Sequence, residues 1–343
     1  MECFCQIIPN DVLDRFSKDR RLSAEERKNF ADTALVDAQM RKLRVQAAKL
    51  TAVTASLGLA PTVTPAAPAI TVADCHHSQT LPGTPVANPA TSADGTIKSA
   101  FVETKAVADF YKTVFGRNSI DNAGMTMSSS VHYGVNFNNA FWNGSRMTYG
   151  DGDNNIFIDF TKSTDVIAHE LTHGVTQHSM QLAYTNQAGG LNESVSDVFG
   201  SMFRQWRANQ DASQADWLIG KEIMGSGATA RGFTCLRDMA SPGAAHCLAP
   251  QPFHFSKFQT GMDPHLSSGI PNLAFYTAAK AIGGKSWEKT GQIWYKALTG
   301  FAPRPNMTMR AFANRTRQLA TQMYPGDAPV ANAINAGWVA VGL

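Results

Sequence analysis

Apolar and polar positions follow a helical rhythm near the start of the chain and again from about residue 166 onward, with shorter strand-like runs between. The first fifty residues are rich in charge and end in the pattern LSAEERKNFADTALVDAQMRKLRVQAAKL. It opens with Ser23 as an N-cap and Glu26 three residues later, the spacing of a capping box. The composition then shifts to TAVTASLGLAPTVTPAAPAITVADC, rich in Ala, Thr and Pro, which reads as a linker leading into extended chain. From about residue 70 to 160, short strand-like runs alternate with Gly and Asn turns, interrupted by one helical stretch, SAFVETKAVADFYKTVF. Beyond that come VIAHELTHGVTQHSM, GGLNESVSDVFGSMFRQW, NLAFYTAAKAIGG, SWEKTGQIWYKALTG and MTMRAFANRTRQLATQMY, all helical in period.

These patterns divide the chain into a segment over 1–50, a linker and the start of the next unit over 51–72, a lobe over 73–178, and a helical lobe over 179–343. The fold class is α+β: a strand-rich N-terminal lobe and a mainly helical C-terminal lobe, with a cleft between them and the first histidine-bearing helix at the junction. No internal repeat is present. At 343 residues the chain suits a large domain or two. A net charge of +3 with mixed signs argues against nucleic acid or an anionic membrane as partner. No apolar run reaches the length of a membrane span, and the first residues lack a Sec-type signal, so a cytoplasmic location or export by a non-Sec route is expected. Cys3, Cys5, Cys75, Cys235 and Cys247 are odd in number and scattered, which does not resemble a disulfide framework.

The stretch VIAHELTHGVTQHSM concentrates the chemistry. His169 and His173 are four residues apart, so on a helix both rings leave one face about 6 Å apart along the axis and can share a metal ion. Glu170 then stands beside that ion, placed to take a proton from a bound water. Downstream, Glu193 and Asp197 are again four apart. If their helix packs on the first, Glu193 supplies a third ligand, and Asp197 holds a ligating imidazole by its other N–H. Three protein ligands with one open position is the pattern of a catalytic zinc. His178, five residues beyond His173, points elsewhere and reads as an ordinary polar-face histidine.

With these residues in view, NNAFWNGSRMTYGDGD, DVIAHELTHGVTQ, GGLNESVSDVFGS, DWLIGKEI and LSSGIPNLAFY resemble the motifs of the thermolysin-like metallopeptidases, in the family's order, over most of residues 75–343. The N-terminal segment with CQIIPNDVL resembles the precursors of the protealysin-like branch, which begin with a compact propeptide of about fifty residues. The resemblance implies a zinc endopeptidase made as a self-inhibited precursor, cutting before large apolar residues, a monomer acting on peptides and proteins, with residues 1–50 as propeptide. It implies one zinc held by His169, His173 and Glu193, which lowers the pKa of a bound water while Glu170 takes its proton and passes it to the leaving nitrogen. Tyr184 and His265 match the donors to the developing oxyanion. Asn139, Ala140 and Trp142 match the edge that holds the substrate as an added strand, and Arg237 matches the arginine on the substrate carbonyl beyond the cut. Val166, Ile219 and Leu236 match the lining of the subsite after the cut.

Two departures bear on metal and orientation. The family often binds a pair of calcium ions in a buried acidic cluster. Here Asp165 and Asp216 match two of its ligands, but Arg204 and Lys221 replace glutamates and Leu218 replaces another acid, so the paired site is expected to be absent, whatever single calcium binds elsewhere. Thr260 stands where an aspartate usually orients His265, and Asp263 is the substitute. Cys5 precedes QIIPND, in which Pro9 favours extended backbone before it, and the protealysin-like propeptides carry a cysteine at this place, although Asn10 replaces a second proline. Cys5 is therefore expected on or close to the fourth zinc position, as a switch. The competing reading is a catalytically silent zincin-fold protein that binds peptides or a partner. Such a protein is free to lose Glu170 or the oxyanion donors, and all are present. An exopeptidase needs a group that holds a free substrate terminus, and no residue stands out for it.

Overall fold

The computed structural model describes residues 5–54, with 40–54 as backbone, and residues 67–343. The chain opens in a short strand, β1 (Cys5–Gln6), and turns at Pro9 into helix α1 (Asn10–Ser17). Val12, Leu13 and Phe16 lie on one face of α1 and are buried. Helix α2 (Ala24–Thr54) begins at the expected capping box: the Ser23 N–H donates to Glu26 Oε2 at 2.7 Å, and the Glu26 N–H donates to Ser23 Oγ at 3.1 Å. It runs through Thr51–Thr54, which the sequence reading gave to the linker; those residues keep every backbone N–H, and the first proline of the linker is Pro61. Residues 55–66 of the expected linker lie outside the described residues. Phe30 stacks on Phe16 at 5.0 Å and reaches Phe157 at 6.2 Å, which fastens the two helices to the rest of the molecule.

The N-terminal lobe follows as β2 (Ile70–Asp74), β3 (Thr84–Pro85), α3 (Gly95–Phe115), β4 (Met127–Val131), β5 (Ala140–Trp142) and β6 (Met147–Tyr149). Asp94 caps α3 by accepting from the N–H groups of Thr96 and Ile97, which starts the helix four residues before the apolar pattern suggests. Gly116, at φ +67°, ends it in a left-handed turn. The six strands run in the order β1–β5–β6–β4–β2–β3, with β2, β4 and β6 parallel and the other pairs antiparallel. The outermost strand on one side is thus the chain's own N-terminal segment.

Helices α4 (Thr164–Gln177) and α5 (Asn186–Arg207) form the floor of the cleft and are buried through most of their length. They approach closely because Gly200 has no side chain: a Cβ there would stand 2.7 Å from the Asp165 carbonyl oxygen. A small ribbon of β7 (Leu218–Ile219) and β8 (Arg237–Asp238) follows, with α6 (Ser226–Ala230) between its strands. The helical lobe is completed by α7 (Pro264–Ser267), α8 (Gly269–Ile282), α9 (Lys289–Thr299), α10 (Met309–Met323) and α11 (Ala328–Ala340). Trp294 links three of these, stacked on Trp338 at 5.8 Å and edge-on to Phe275 at 5.1 Å. Helices α1 and α11 were not foreseen. The first is only eight residues long, and the second is apolar around much of its circumference, which hides its period.

Candidate active site

One turn of α4 presents His169 and His173 to the same side, and both are fully buried. Their ring edges are held from behind. His169 Nδ1 lies 2.8 Å from Asp197 Oδ1, and His173 Nδ1 lies 2.8 Å from Asn192 Oδ1, with Ser196 Oγ at 3.1 Å. A carboxylate or amide oxygen accepts, so each Nδ1 carries the proton and each Nε2 offers a lone pair. Those two Nε2 atoms face one another at 3.1 Å, and Glu193 brings its oxygens to 3.4 Å from His169 and 3.5 Å from His173. Ligands about 2.0–2.1 Å from one tetrahedral zinc stand about 3.4 Å apart. Glu193 Oε2 is buried with no hydrogen-bond partner among the described residues. Two facing lone pairs and an orphaned carboxylate oxygen repel one another unless a cation lies between them, so the donor set fits zinc.

Glu170, adjacent to His169 in sequence, has its carboxylate turned to the cleft. Oε2 accepts from the Trp142 N–H at 3.0 Å, while Oε1 is buried without a hydrogen-bond partner among the described residues. Burial raises its pKa well above the usual carboxylate range, against the pull of His169. Glu193 moves the other way: burial opposes ionisation, but His265, His173 and His169 hold its carboxyl well below that range. Asp197 is buried and lowered as well, since Arg237 grips both of its oxygens at 2.7 and 2.8 Å and His169 adds a third bond. Asn272 donates to the same carboxylate at 2.8 Å.

The cleft wall is completed by Tyr184 and His265, whose side chains meet at 3.3 Å. The Tyr184 hydroxyl also donates to Glu193. Asp263 Oδ1 lies 2.8 Å from His265 Nδ1 and accepts from its backbone N–H at 2.9 Å, so it supplies the orientation that the missing aspartate at Thr260 does not. Burial works against protonation of His265, but Glu193 and Asp263 outweigh it and lift its pKa to about 9.

The N-terminal segment occupies this cleft. β1 pairs antiparallel with β5, Cys5 opposite Trp142 and Gln6 opposite Phe141, and the Ile7 N–H donates to the Ala140 carbonyl at 3.2 Å. Asn139 accepts from the Ile8 N–H at 3.0 Å and donates to the Ile8 carbonyl at 3.3 Å and to Gln6 Oε1 at 2.6 Å. Arg237 donates to the Ile7 carbonyl at 3.1 Å, and His265 Nε2 lies 2.6 Å from the Gln6 carbonyl oxygen. Val166, Ile219 and Leu236 are buried in the same apolar cluster as Ile7.

The side chains singled out in the sequence therefore converge, with one change in chemistry. Cys5 Sγ lies within 4.8 Å of the ligand atoms of His173 and Glu193, as the switch requires, but Cys5 is disulfide-bonded. Its sulfur stands there as a neutral disulfide sulfur and not as the expected thiolate ligand. His178 is exposed just beyond the end of α4, away from the site. Asn192, Ser196 and Asn272 were missed: each is a common polar residue that acquires its role only through the packing of α4, α5 and α8. Asn192 is the neighbour of Glu193 in sequence, yet adjacency on a helix separates side chains by about 100°, so it gave no signal.

Away from the site, Arg204 lies in the acidic cluster beside α4. It reaches Asp165 at 3.2 Å and Glu222 at 3.4 Å and also bonds Asp216, while Lys221 meets Asp216 at 3.2 Å. Asp165 is fully buried and accepts further from Ser163 Oγ and the Gly220 N–H.

Comparison with known proteins agrees with this geometry. The sequence pattern of the thermolysin metallopeptidase catalytic domain matches residues 51–177, and that of the thermolysin metallopeptidase alpha-helical domain matches residues 180–343. The chain is 42% identical over 281 residues to an extracellular metalloprotease of Pectobacterium carotovorum subsp. carotovorum, covering 79% of this chain and 80% of that one. It is 38% identical to Protease PrtS of Photorhabdus sp. (strain Az29), over 79% of this chain and 75% of that one. Among solved structures, the precursor of protealysin, a metalloproteinase from Serratia proteamaculans, superposes with a TM-score of 0.82 at 36% identity, over 98% of this chain and 99% of the other.

Proposed function

The chain belongs to the thermolysin family of metallopeptidases and is a metalloendopeptidase; from that premise we propose that it is made as a self-inhibited precursor, that residues 1–50 are its propeptide, and that it cuts before large apolar residues. The observation that carries this reading is the register of the N-terminal strand. Gln6, Ile7 and Ile8 offer their backbone to His265, Arg237 and Asn139 in sequence, as a bound peptide does. The catalytic-domain match beginning at residue 51 supports the boundary.

His169, His173 and Glu193 are the residues that would hold the family's zinc, which when bound supplies Lewis acidity at one open position. Glu170 is the base: its free Oε1 takes the proton of the attacking water and returns it to the leaving nitrogen, while the Trp142 N–H keeps the carboxylate aimed. Tyr184 and His265 donate to the carbonyl oxygen as charge develops on it. Asp263 fixes the His265 ring, and Asp197 fixes both His169 and Arg237. Ala140 and Asn139 hold the substrate as an added strand, and Arg237 takes the carbonyl beyond the cut. Val166, Ile219 and Leu236 line the subsite for the next side chain, so a Leu, Ile or Phe entering it gains about 1.5–3 kcal/mol from burial.

Inhibition follows from occupancy. The strand fills the cleft and brings the Cys5 sulfur beside His173 and Glu193; reduction of its disulfide would free a thiolate able to join these residues in holding zinc. The paired-calcium site is absent, its place taken by Arg204 and Lys221 on Asp165 and Asp216. The test is to purify the full chain, follow zinc content and casein cleavage over time, sequence the N-terminus of the active species, and map cleavage of a peptide library. Maturation near residue 50 and cuts before Leu, Ile or Phe support the reading. Cuts mainly before Asp or Glu, or after basic residues, contradict the subsite assignment.

A further inference from the structure

Cys235 and Cys247 are both fully buried and free, and their sulfurs stand 3.9 Å apart. Their backbones run side by side in a parallel bridge: the Thr234 N–H donates to the His246 carbonyl at 3.0 Å, and the Leu248 N–H donates to the Cys235 carbonyl at 2.9 Å. Neither thiol has a part in the proteolytic site. Cys235 nevertheless directly precedes Leu236 and Arg237, and Arg237 holds the Ile7 carbonyl at 3.1 Å, while the carbonyl of Leu248, next to Cys247, accepts from Arg15 of the N-terminal segment at 2.6 Å.

We propose that Cys235 and Cys247 form a disulfide in the folded chain when a low-molecular-mass disulfide is available, and that this cross-link fastens the segment bearing Leu236 and Arg237 to the loop whose Leu248 carbonyl anchors Arg15. The Cys247 thiolate attacks one sulfur of the oxidant RS–SR and expels one thiolate RS⁻. The Cys235 thiolate then attacks the Cys247 sulfur of the mixed disulfide and expels the second. Two protein S–H bonds and one RS–SR bond are replaced by one protein S–S bond and two RSH, so two electrons pass to the oxidant. The hydrogen bond donated by Cys235 holds the Cys247 thiol below its usual pKa, which makes Cys247 the first attacker. Because both sulfurs are buried, the exchange takes place before the segment closes over them or during its transient opening.

His246 brings a third donor within 4.8 Å of both sulfurs, which raises the alternative of a metal. That ring is half-exposed and engages Asp238 at 3.2 Å, whereas the two sulfurs are turned to each other inside the protein. The bridge position favours the disulfide.

The sequence makes the test direct, since trypsin cuts after Arg231, Arg237 and Lys257 and so places the two cysteines in separate peptides, 232–237 and 238–257. The full-length chain is incubated with oxidised glutathione, quenched in acid, alkylated and digested without reduction. The expected product is one joined species two hydrogens lighter than the sum of its halves, with Cys75 alkylated as a control. Recovery of both peptides alkylated overturns the proposal. So does protection of both cysteines by a second bound zinc, found by metal analysis, that is lost on chelation without any joined species. In thermal unfolding the oxidised chain is expected to melt about 5 °C above the same chain in reductant. The variant C235S/C247S must lose this difference; any residual effect of reductant in it belongs to Cys5. Should that variant fail to fold, the peptide map of the parent chain decides alone, and neither readout depends on proteolytic activity.

Discussion

Glu170 and Glu193 are chemically identical and both fully buried, yet their surroundings divide their roles. Around Glu193 the histidines offset the cost of burying a charge, so it is a permanent anion suited to a cation. Glu170 has a pKa raised well above the usual by burial, so it accepts and releases a proton readily. Glu170→Ala is therefore expected to keep its zinc and fold while turnover on casein falls by about 10²–10⁴-fold. Metal analysis beside the assay checks it, and substantial residual activity in a zinc-loaded variant would sink the proton-transfer role. Glu193→Ala should lose zinc instead. For Cys5, replacement by Ser removes the sulfur from the neighbourhood of His173 and Glu193. Basal activity or self-processing should rise in this variant. If it matures at the parent rate, the sulfur contributes nothing and inhibition comes from the strand alone.

At the scale of elements, the N-terminal unit is held by separable devices: β1 on β5, the capping box that opens α2, and the Glu26 contact with Asn155, which donates to Glu26 Oε1 at 2.5 Å. Ser23→Ala removes one half of the cap and frees Glu26 from its constraint, at a cost of about 1 kcal/mol to α2. Ser23, Glu26 and Asn155 are not part of the donor set. The expected result is faster self-processing of the full chain with unchanged kcat and KM once matured, measured by gel time course and steady-state kinetics. A change in the kinetics of the mature enzyme would show that α2 does more than restrain the precursor.

For the whole molecule, the proposed replacement of a calcium pair rests on Arg204 and its ion pairs. It neutralises Asp165, whose burial by itself raises the carboxyl pKa, and it ties α5 to the β7 region through Asp216 and Glu222. A chelator that removes calcium and spares zinc is thus expected to move the melting temperature by less than about 2 °C, if no other calcium site contributes. Arg204→Ala, which leaves Asp165 buried without its cation, should destabilise the fold by about 3–5 kcal/mol. A large fall in melting temperature on calcium removal from the parent chain would mean that these residues have been assigned the wrong role.

Local periodicity by itself determined the helices that carry His169, Glu170, His173, Glu193 and Asp197, because residues four apart share a helix face whatever surrounds them. It also determined the capping box at Ser23 and Glu26, a contact between near neighbours. Chain order and motif spacing were enough for the two-lobe architecture. What lay beyond them were contacts between residues far apart in sequence. The hold of Asn139 on Ile8, the pairing of Asn192 with His173, the clasp of Asn272 on Asp197 and the approach of Cys235 to Cys247 each involve ordinary residue types whose meaning comes from a neighbour that only folding supplies. Tertiary structure also decided the chemistry of Cys5. Resemblance to the protealysin-like propeptides and the extended backbone before Pro9 led to a sulfur near His173 and Glu193, but whether that sulfur is a thiolate or half of a disulfide depends on which atom it meets in space, and no local spacing encodes that.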